Sequence, residues 1–231
     1  MSHDLPAVGP RRDKVVPLDA ALDGITAGMT VLVGGWGDCG TPVRLIAALA
    51  ARPVTDLTVI ITGSAPVEPL NEAGMVRHMV TSFATYAGRA GAASALERRV
   101  REGSLGIELC SQGILAERIR AGGAGIAAFY VEERLVGRFR STGETRVIDG
   151  KRCVLETALR ADVALIGASL ADRSGNLHWA DGERNFNDPM AYAADLVVVE
   201  AFDLLDDAHL PVEYVMAPGL VVDRLVAPAA G

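Results

Sequence analysis

Four glycines fall within seven residues at Gly34-Gly35-Trp36-Gly37-Asp38-Cys39-Gly40. Such a density lets the backbone turn sharply and lets a ligand come close to main-chain amides. The loop lies between the apolar run Thr30-Val31-Leu32-Val33, which predicts a buried strand, and residues 43–51, which predict a helix. Thr41 is placed to cap that helix, and Pro42 suits its first turn, where a missing N–H is harmless. A helix start of this kind presents unpaired N–H groups, so the expected ligand is an anion or a carbonyl oxygen.

Other chemistry is poorly supported. Residues 35–40 fit G-x-G-x-x-G, but the second strand closes on Thr62-Gly63-Ser64, without the acid that would hold a ribose, so a dinucleotide site is not expected. No G-x-x-x-x-G-K-[ST] occurs. Gly167-Ala168-Ser169-Leu170-Ala171 lacks the final glycine of a nucleophile elbow, and Ser169 is read as a turn residue. His3, His78, His178 and His209 have no metal-ligand spacing, so no metal is expected. Cys39 stands beside a helix start, a setting that favours thiolates. No histidine is near it in sequence, and it is read as a small packing residue.

The elements that would carry these residues follow an alternating β/α pattern. Apolar β-branched runs predict strands at 57–62, 76–83, 106–110, 163–166, 196–199 and 220–222. Helices are expected at 18–25, 92–102, 111–120 and 188–194, the last with an aspartate cap and a first-turn proline. Between 138 and 156 the chain alternates apolar and polar residues around an Asp149-Gly150 turn, a small antiparallel excursion. The 231 residues are 50% hydrophobic but only 5% aromatic, which suits parallel strands buried on both faces. A net charge of −7 without a basic block argues against nucleic acid or an anionic membrane as partner. Three scattered cysteines predict reduced thiols and a cytoplasmic protein. Residues 1–14 are expected to form a disordered tail, and 15–231 one domain.

Six blocks in order carry a family resemblance. They are the glycine loop 34–42, Ser111-Gln112-Gly113 with 115–125, Leu159-Arg160-Ala161-Asp162, Asp172-Arg173-Ser174-Gly175-Asn176-Leu177, Arg184-Asn185-Phe186-Asn187, and Ala217-Pro218-Gly219 with Val222-Asp223. In these the chain resembles the alpha subunit of family I coenzyme A transferases of the 3-oxoacid type, from about residue 14 to 226. The resemblance implies an α/β three-layer sandwich with a mainly parallel sheet and a small antiparallel β excursion. It implies CoA and acyl-CoA as substrates, with no permanently bound cofactor. The acyl acceptor would be a short or medium carboxylic acid, 3-oxo acids included. The nucleophile would be a glutamate that attacks the thioester. In the family that glutamate lies in a beta subunit, within Ser-Glu-Asn-Gly, and this sequence has no Glu-Asn-Gly. The resemblance therefore implies no catalytic nucleophile here and a beta-subunit partner, in a heterodimer or heterotetramer.

By the same resemblance, Gln112 faces the substrate, and Gly34, Gly35 and Gly37 line the acyl or carboxylate pocket. Gly122, Gly123 and Gly125 would let a second loop close on it. Glu117, Arg118 and Arg120 are read as an ion-paired helix face or as groups that reach the partner subunit, with the first reading preferred for Glu117. Arg184, Asn185 and Asn187 are read as structural at the subunit interface or as ligand contacts. Two segments depart from the family pattern beside the expected pocket: 129–137, bulkier and charged where a small polar loop is usual, and 63–69, which lacks the usual asparagine. These departures leave an acyl-CoA or C–C hydrolase on the same scaffold, or a non-catalytic ligand-binding paralogue, as alternatives.

Overall fold

The computed structural model describes residues 12–84, 93–136 and 143–229. The expected tail up to residue 11, the first residue of the 92–102 helix and the 138–140 alternation lie outside them. The main sheet has seven parallel strands. In chain order they are β1 (Thr30–Val33), β2 (Leu57–Gly63), β3 (Val76–Phe83), β4 (Gly106–Leu109), and, after an excursion, β8 (Ala161–Ala168), β11 (Ala194–Ala201) and β13 (Arg224–Val226). Their spatial order is β13-β11-β8-β1-β2-β3-β4. From β1 the chain builds outward to one side, then returns to build the other, so the order reverses between β8 and β1.

Period-two alternation makes this a three-layer structure. Val31, Val33, Val59, Ile61 and Val163 project to one face, where they meet Leu45, Ile46 and Leu49 of helix α2 (Val43–Ala50). Ala21 of α1 (Leu18–Ala21), Leu70 of α3 (Glu68–Glu72) and Leu96 of α4 (Ala95–Arg101) complete that layer. Leu32, Ile60, Val80 and Ile166 project to the other face, against Ile114, Leu115 and Ile119 of α5 (Gln112–Gly123) and Met190 of α7 (Asn187–Met190). Strands covered on both faces read as near-continuous apolar runs, which is why this sheet is written so plainly in the sequence.

The excursion is also present. β5 (Ala128–Glu132), β6 (Thr145–Ile148) and β7 (Lys151–Thr157) form an antiparallel sheet in the order β5-β7-β6. The charged segment 129–136, expected as a loop, is instead β5 followed by the single turn α6 (Glu133–Val136). Its charges are paired along the sheet: Glu132 bonds Arg134 and Lys151, both at 2.6 Å. A third sheet, β9 (Leu170–Asp172), β10 (Leu177–His178) and β12 (Leu204–Leu205), was not expected, because two- and three-residue strands carry no readable period.

Further expectations are corrected. The 18–25 helix stops at Ala21. Residues 219–221 make a tight 3₁₀ turn rather than a strand, and the strand begins at Arg224. Asp188 lies inside α7 and pairs with Arg184 at 2.7 Å instead of capping the helix. Asp13 and Lys14, assigned to the tail, belong to the fold: Asp13 pairs with Arg173 at 2.6 Å, and the Lys14 carbonyl accepts from Leu225 N. Gly122 and Gly123 are inside α5, not in a loop. A Cβ at Gly122 would lie 2.0 Å from Leu159 O, and one at Gly123 3.0 Å from Tyr192. These glycines let α5 touch neighbouring backbone, and only Gly125, with φ +73°, serves the turn after the helix. No helix among the described residues is long and apolar enough to cross a membrane.

Candidate active site

All seven parallel strands end at one edge, and the glycine loop leaves β1 there, next to the strand-order reversal. In open α/β sheets a ligand crevice is expected at such a point. Here the β1/β8 side is filled by the protein itself. Gly34 N donates to Leu165 O at 2.9 Å, and Gly40 lies so close to Gly167 that a Cβ on the latter would sit 2.4 Å from Gly40 O. Asn187, fully buried at the start of α7, locks the two backbones. Its Oδ1 accepts from Gly167 N at 3.0 Å, and its Nδ2 donates to Gly40 O at 2.9 Å and Glu183 O at 2.7 Å. Asn185 Nδ2 adds a bond to Cys39 O at 3.0 Å. A Cβ at Gly34 would overlap Asn187 Oδ1, and one at Gly35, where φ is +97°, would overlap Thr41 Oγ1. The first two glycines of the loop therefore make room for its clamps.

The helix start is occupied too. Thr41 does not cap α2; its hydroxyl donates back to Gly37 O at 2.6 Å, tying the loop shut. The cap is Glu200, from the end of β11 and 3% exposed. Its Oε2 accepts from Arg44 N at 2.9 Å and Leu45 N at 3.0 Å. The unpaired amides expected to receive a ligand thus already hold a carboxylate.

Burial raises the Glu200 pKa above its ordinary 4.5, and the Leu45 and Arg44 amides only partly offset this. Between the ordinary and the raised value the folded chain binds more protons than the unfolded chain, so stability falls as pH rises through that window. Glu200→Gln keeps an acceptor for both amides without the charge. Thermal melts between about pH 4 and pH 8 should therefore show a flatter profile for the variant, with stability at neutral pH no lower than wild type. A clear loss of stability at neutral pH would mean that the charge itself holds the helix.

The open concavity lies on the other side of the loop. A cleft of about 250 Å³ is lined by Trp36, Gly37, Thr62, Gly63, Ala65, Pro66 and Phe83, the ends of β1, β2 and β3. Of the glycines expected to line a pocket, only Gly37, with φ +57°, does so. Gln112 begins α5 just after β4, the strand beside β3, and so reaches the same edge without lining the cleft. It is half-buried, and its side chain makes no hydrogen bond with the described residues. Beside it, burial pushes the Cys110 thiol up, with Arg118 pulling the other way. Cys39 is exposed rather than packed. Ser169 is a structural residue: its hydroxyl accepts from Ala180 N at 2.6 Å and donates to Glu183.

The helix face divides. Glu117 and Arg120 form the expected exposed pair at 2.8 Å. Arg118 instead is buried, bonding Glu108 at 2.5 Å and Thr157 O at 2.8 Å, so it joins β4 and β7 through α5. Among the described residues no group of three or more His, Cys, Asp or Glu could hold a metal. The residue missed in the sequence is Glu200, to which nothing local pointed. Asn187 belongs to the Arg184-Asn185-Phe186-Asn187 block, and its bonds in this structure hold the glycine loop.

Comparison with known proteins agrees with this architecture. The chain is similar to the A subunit of the succinyl-CoA:3-ketoacid coenzyme A transferase of Xanthomonas campestris pv. campestris, at 42% identity over 90% of this chain and 85% of that one. It is similar to the alpha subunit of the acetate CoA-transferase of Escherichia coli, at 36% identity over 93% of this chain and 97% of that one. The crystal structure of glutaconate coenzyme A-transferase from Acidaminococcus fermentans superposes with a TM-score of 0.74 at 19% identity, covering 93% of this chain and 75% of that one, and shows the shared fold. The coenzyme A transferase family model matches residues 16–228, and the chain belongs to that family.

Proposed function

We propose that this chain is the alpha subunit of a two-chain CoA transferase, providing the acyl-binding wall of an active site whose nucleophilic glutamate comes from a separate beta subunit. One observation carries this reading: the cleft at the glycine loop has no carboxylate among its described lining residues, and the buried carboxylate nearby, Glu200, is committed to α2. The similarity to proteins named as single subunits of CoA transferases, one of them an alpha subunit, supports it.

The chemistry then balances as two exchanges. The partner's carboxylate attacks the acyl-CoA carbonyl, expelling the CoA thiolate and forming an acyl–glutamyl anhydride. The thiolate attacks the glutamyl carbonyl, releasing the carboxylate product and leaving a glutamyl-CoA thioester. The acceptor acid takes CoA by the same steps in reverse. Coenzyme A is thus substrate, not resident cofactor. Each attack builds an oxyanion, which needs a fixed donor in a site closed to water. Gln112, at the edge of the sheet and without a side-chain hydrogen bond to the described residues, is our choice for that donor. Gln112→Ala should lower kcat by about 10²–10³ with an unchanged melting temperature. Equal activity would remove Gln112 from the site.

The heteromer, a dimer or a tetramer of both chains, acts in the cytoplasm in this reading, in keeping with three free cysteines. The test is CoA exchange between acetoacetyl-CoA and a short monocarboxylic acid such as acetate, by this chain alone and with its beta partner. Activity only in the mixture, dependent on the acceptor acid, is the expected result. CoA release without an acceptor would mark a hydrolase, and activity of this chain alone would overturn the divided site.

A further inference from the structure

Trp36 and Phe83 stand against each other in the cleft, with ring centroids 5.7 Å apart and planes tilted by 53°. They are 45% and 48% exposed, although aromatic side chains gain much from burial. Two open aromatic rings on one concave surface mark a place that is covered in use. The remaining walls are Gly37, Gly63, Ala65 and Pro66, so no charged side chain is among the described lining residues. Thr62, 1% exposed, lines the same cleft, and its Oγ1 has no hydrogen-bond partner among the described residues. A buried hydroxyl is nearly always bonded, so an unbonded one beside a cleft is free to serve a ligand.

We propose that this cleft selects the acyl group: an uncharged chain packed along the exposed faces of the Trp36–Phe83 ring pair, with the Thr62 hydroxyl donating to an oxygen substituent part-way along it. The inference rests on the reading of the glycine loop as the acyl-transfer site. An apolar cavity of about 150 Å³ accommodates benzene, so the 250 Å³ here admits roughly six to ten heavy atoms. A chain ending in a second carboxylate would bring that charge against aromatic and aliphatic walls with no cation among the described residues, which is disfavoured. The selected class is therefore the monocarboxylic acyl esters of short to medium length, over dicarboxylic ones.

Hexanoyl-CoA and adipoyl-CoA have equal chain length and differ only in a terminal methyl against a carboxylate. With the complex of both chains, kcat/KM for the hexanoyl ester should exceed that for the adipoyl ester by about tenfold or more. Trp36→Arg places a cation in the cleft and should move that ratio toward adipoyl by about tenfold. Thr62→Val should lower the ratio of 3-oxohexanoyl to hexanoyl turnover by about tenfold. Binding is read separately, as quenching of tryptophan fluorescence by each ester, with Trp36→Phe as the control that abolishes it. Equal or better binding and turnover of adipoyl-CoA would overturn this inference and leave the transferase reading intact. Failure of all CoA exchange would overturn the transferase reading, while the quenching ratio would still decide which acyl group the cleft prefers.

Discussion

Asn187→Asp should unfold the chain at a temperature roughly 10 °C or more below wild type and abolish CoA transfer. The side chain is fully buried, and its amide serves both roles at once, accepting from Gly167 N and donating to Gly40 O and Glu183 O. An aspartate keeps the acceptor but turns the donor into a second oxygen, facing two carbonyls at the distances where hydrogen bonds had been. Either it ionises without a partner or it takes a proton to survive. An unsatisfied buried polar group costs about 1–3 kcal/mol, and here two carbonyls and the new oxygen are affected together, for about 3–5 kcal/mol in all. The glycine loop would be released from β8, so activity should fall even at temperatures where the variant stays folded. Circular-dichroism melts and assays of the complex decide this. Wild-type stability would show that Asn187 is not the clamp.

Arg118→Met should cost about 3–5 kcal/mol, the range for breaking a buried ion pair from one side. Arg118 is 3% exposed and ties three elements together: its own helix α5, Glu108 on β4 and the Thr157 carbonyl on β7. Methionine fills much of the space but removes the cation that faces two carboxylates, Glu108 and the buried Glu156, 3.9 Å from Arg118 Nε. Adding Glu108→Gln should recover part of the loss, since the stranded charge is then removed, and a double-mutant cycle in urea measures that coupling. A loss under about 1 kcal/mol would mean the pair behaves as a solvated surface bridge. Because α5 begins at Gln112, the same variant should also lower activity.

The main sheet was legible because each strand carries its own signal. Residues 57–62 and 163–166 are apolar enough to be buried on both sides, and the helices between them follow a different period. The glycine loop was legible for the same local reason. What closes around it was not. Glu200 accepts from the Arg44 amide, 156 residues earlier in the chain, and in sequence it is only a carboxylate at the end of a strand. Its presence reverses the expectation drawn from the loop alone, that the helix start awaits an anion. The charged 129–136 segment misled because its glutamates and arginines suggest a loop, whereas pairing across the sheet satisfies them. Gly122 and Gly123 misled because glycine disfavours helix interiors, and close approach to Leu159 and Tyr192 overrides that preference. For the site, position proved easier to read than role: the loop and Gln112 come to one edge of the sheet, but only Gly37 among the expected glycines borders the cleft.

With the acyl-binding wall and the nucleophile on different chains, intact-protein mass spectrometry of the complex separates their roles. The complex is incubated with acyl-CoA, without an acceptor acid, and each chain is weighed. CoA is expected to become covalently attached only to the beta chain, at a glutamate, while this chain keeps its unmodified mass. A CoA adduct on a carboxylate of this chain would contradict that division.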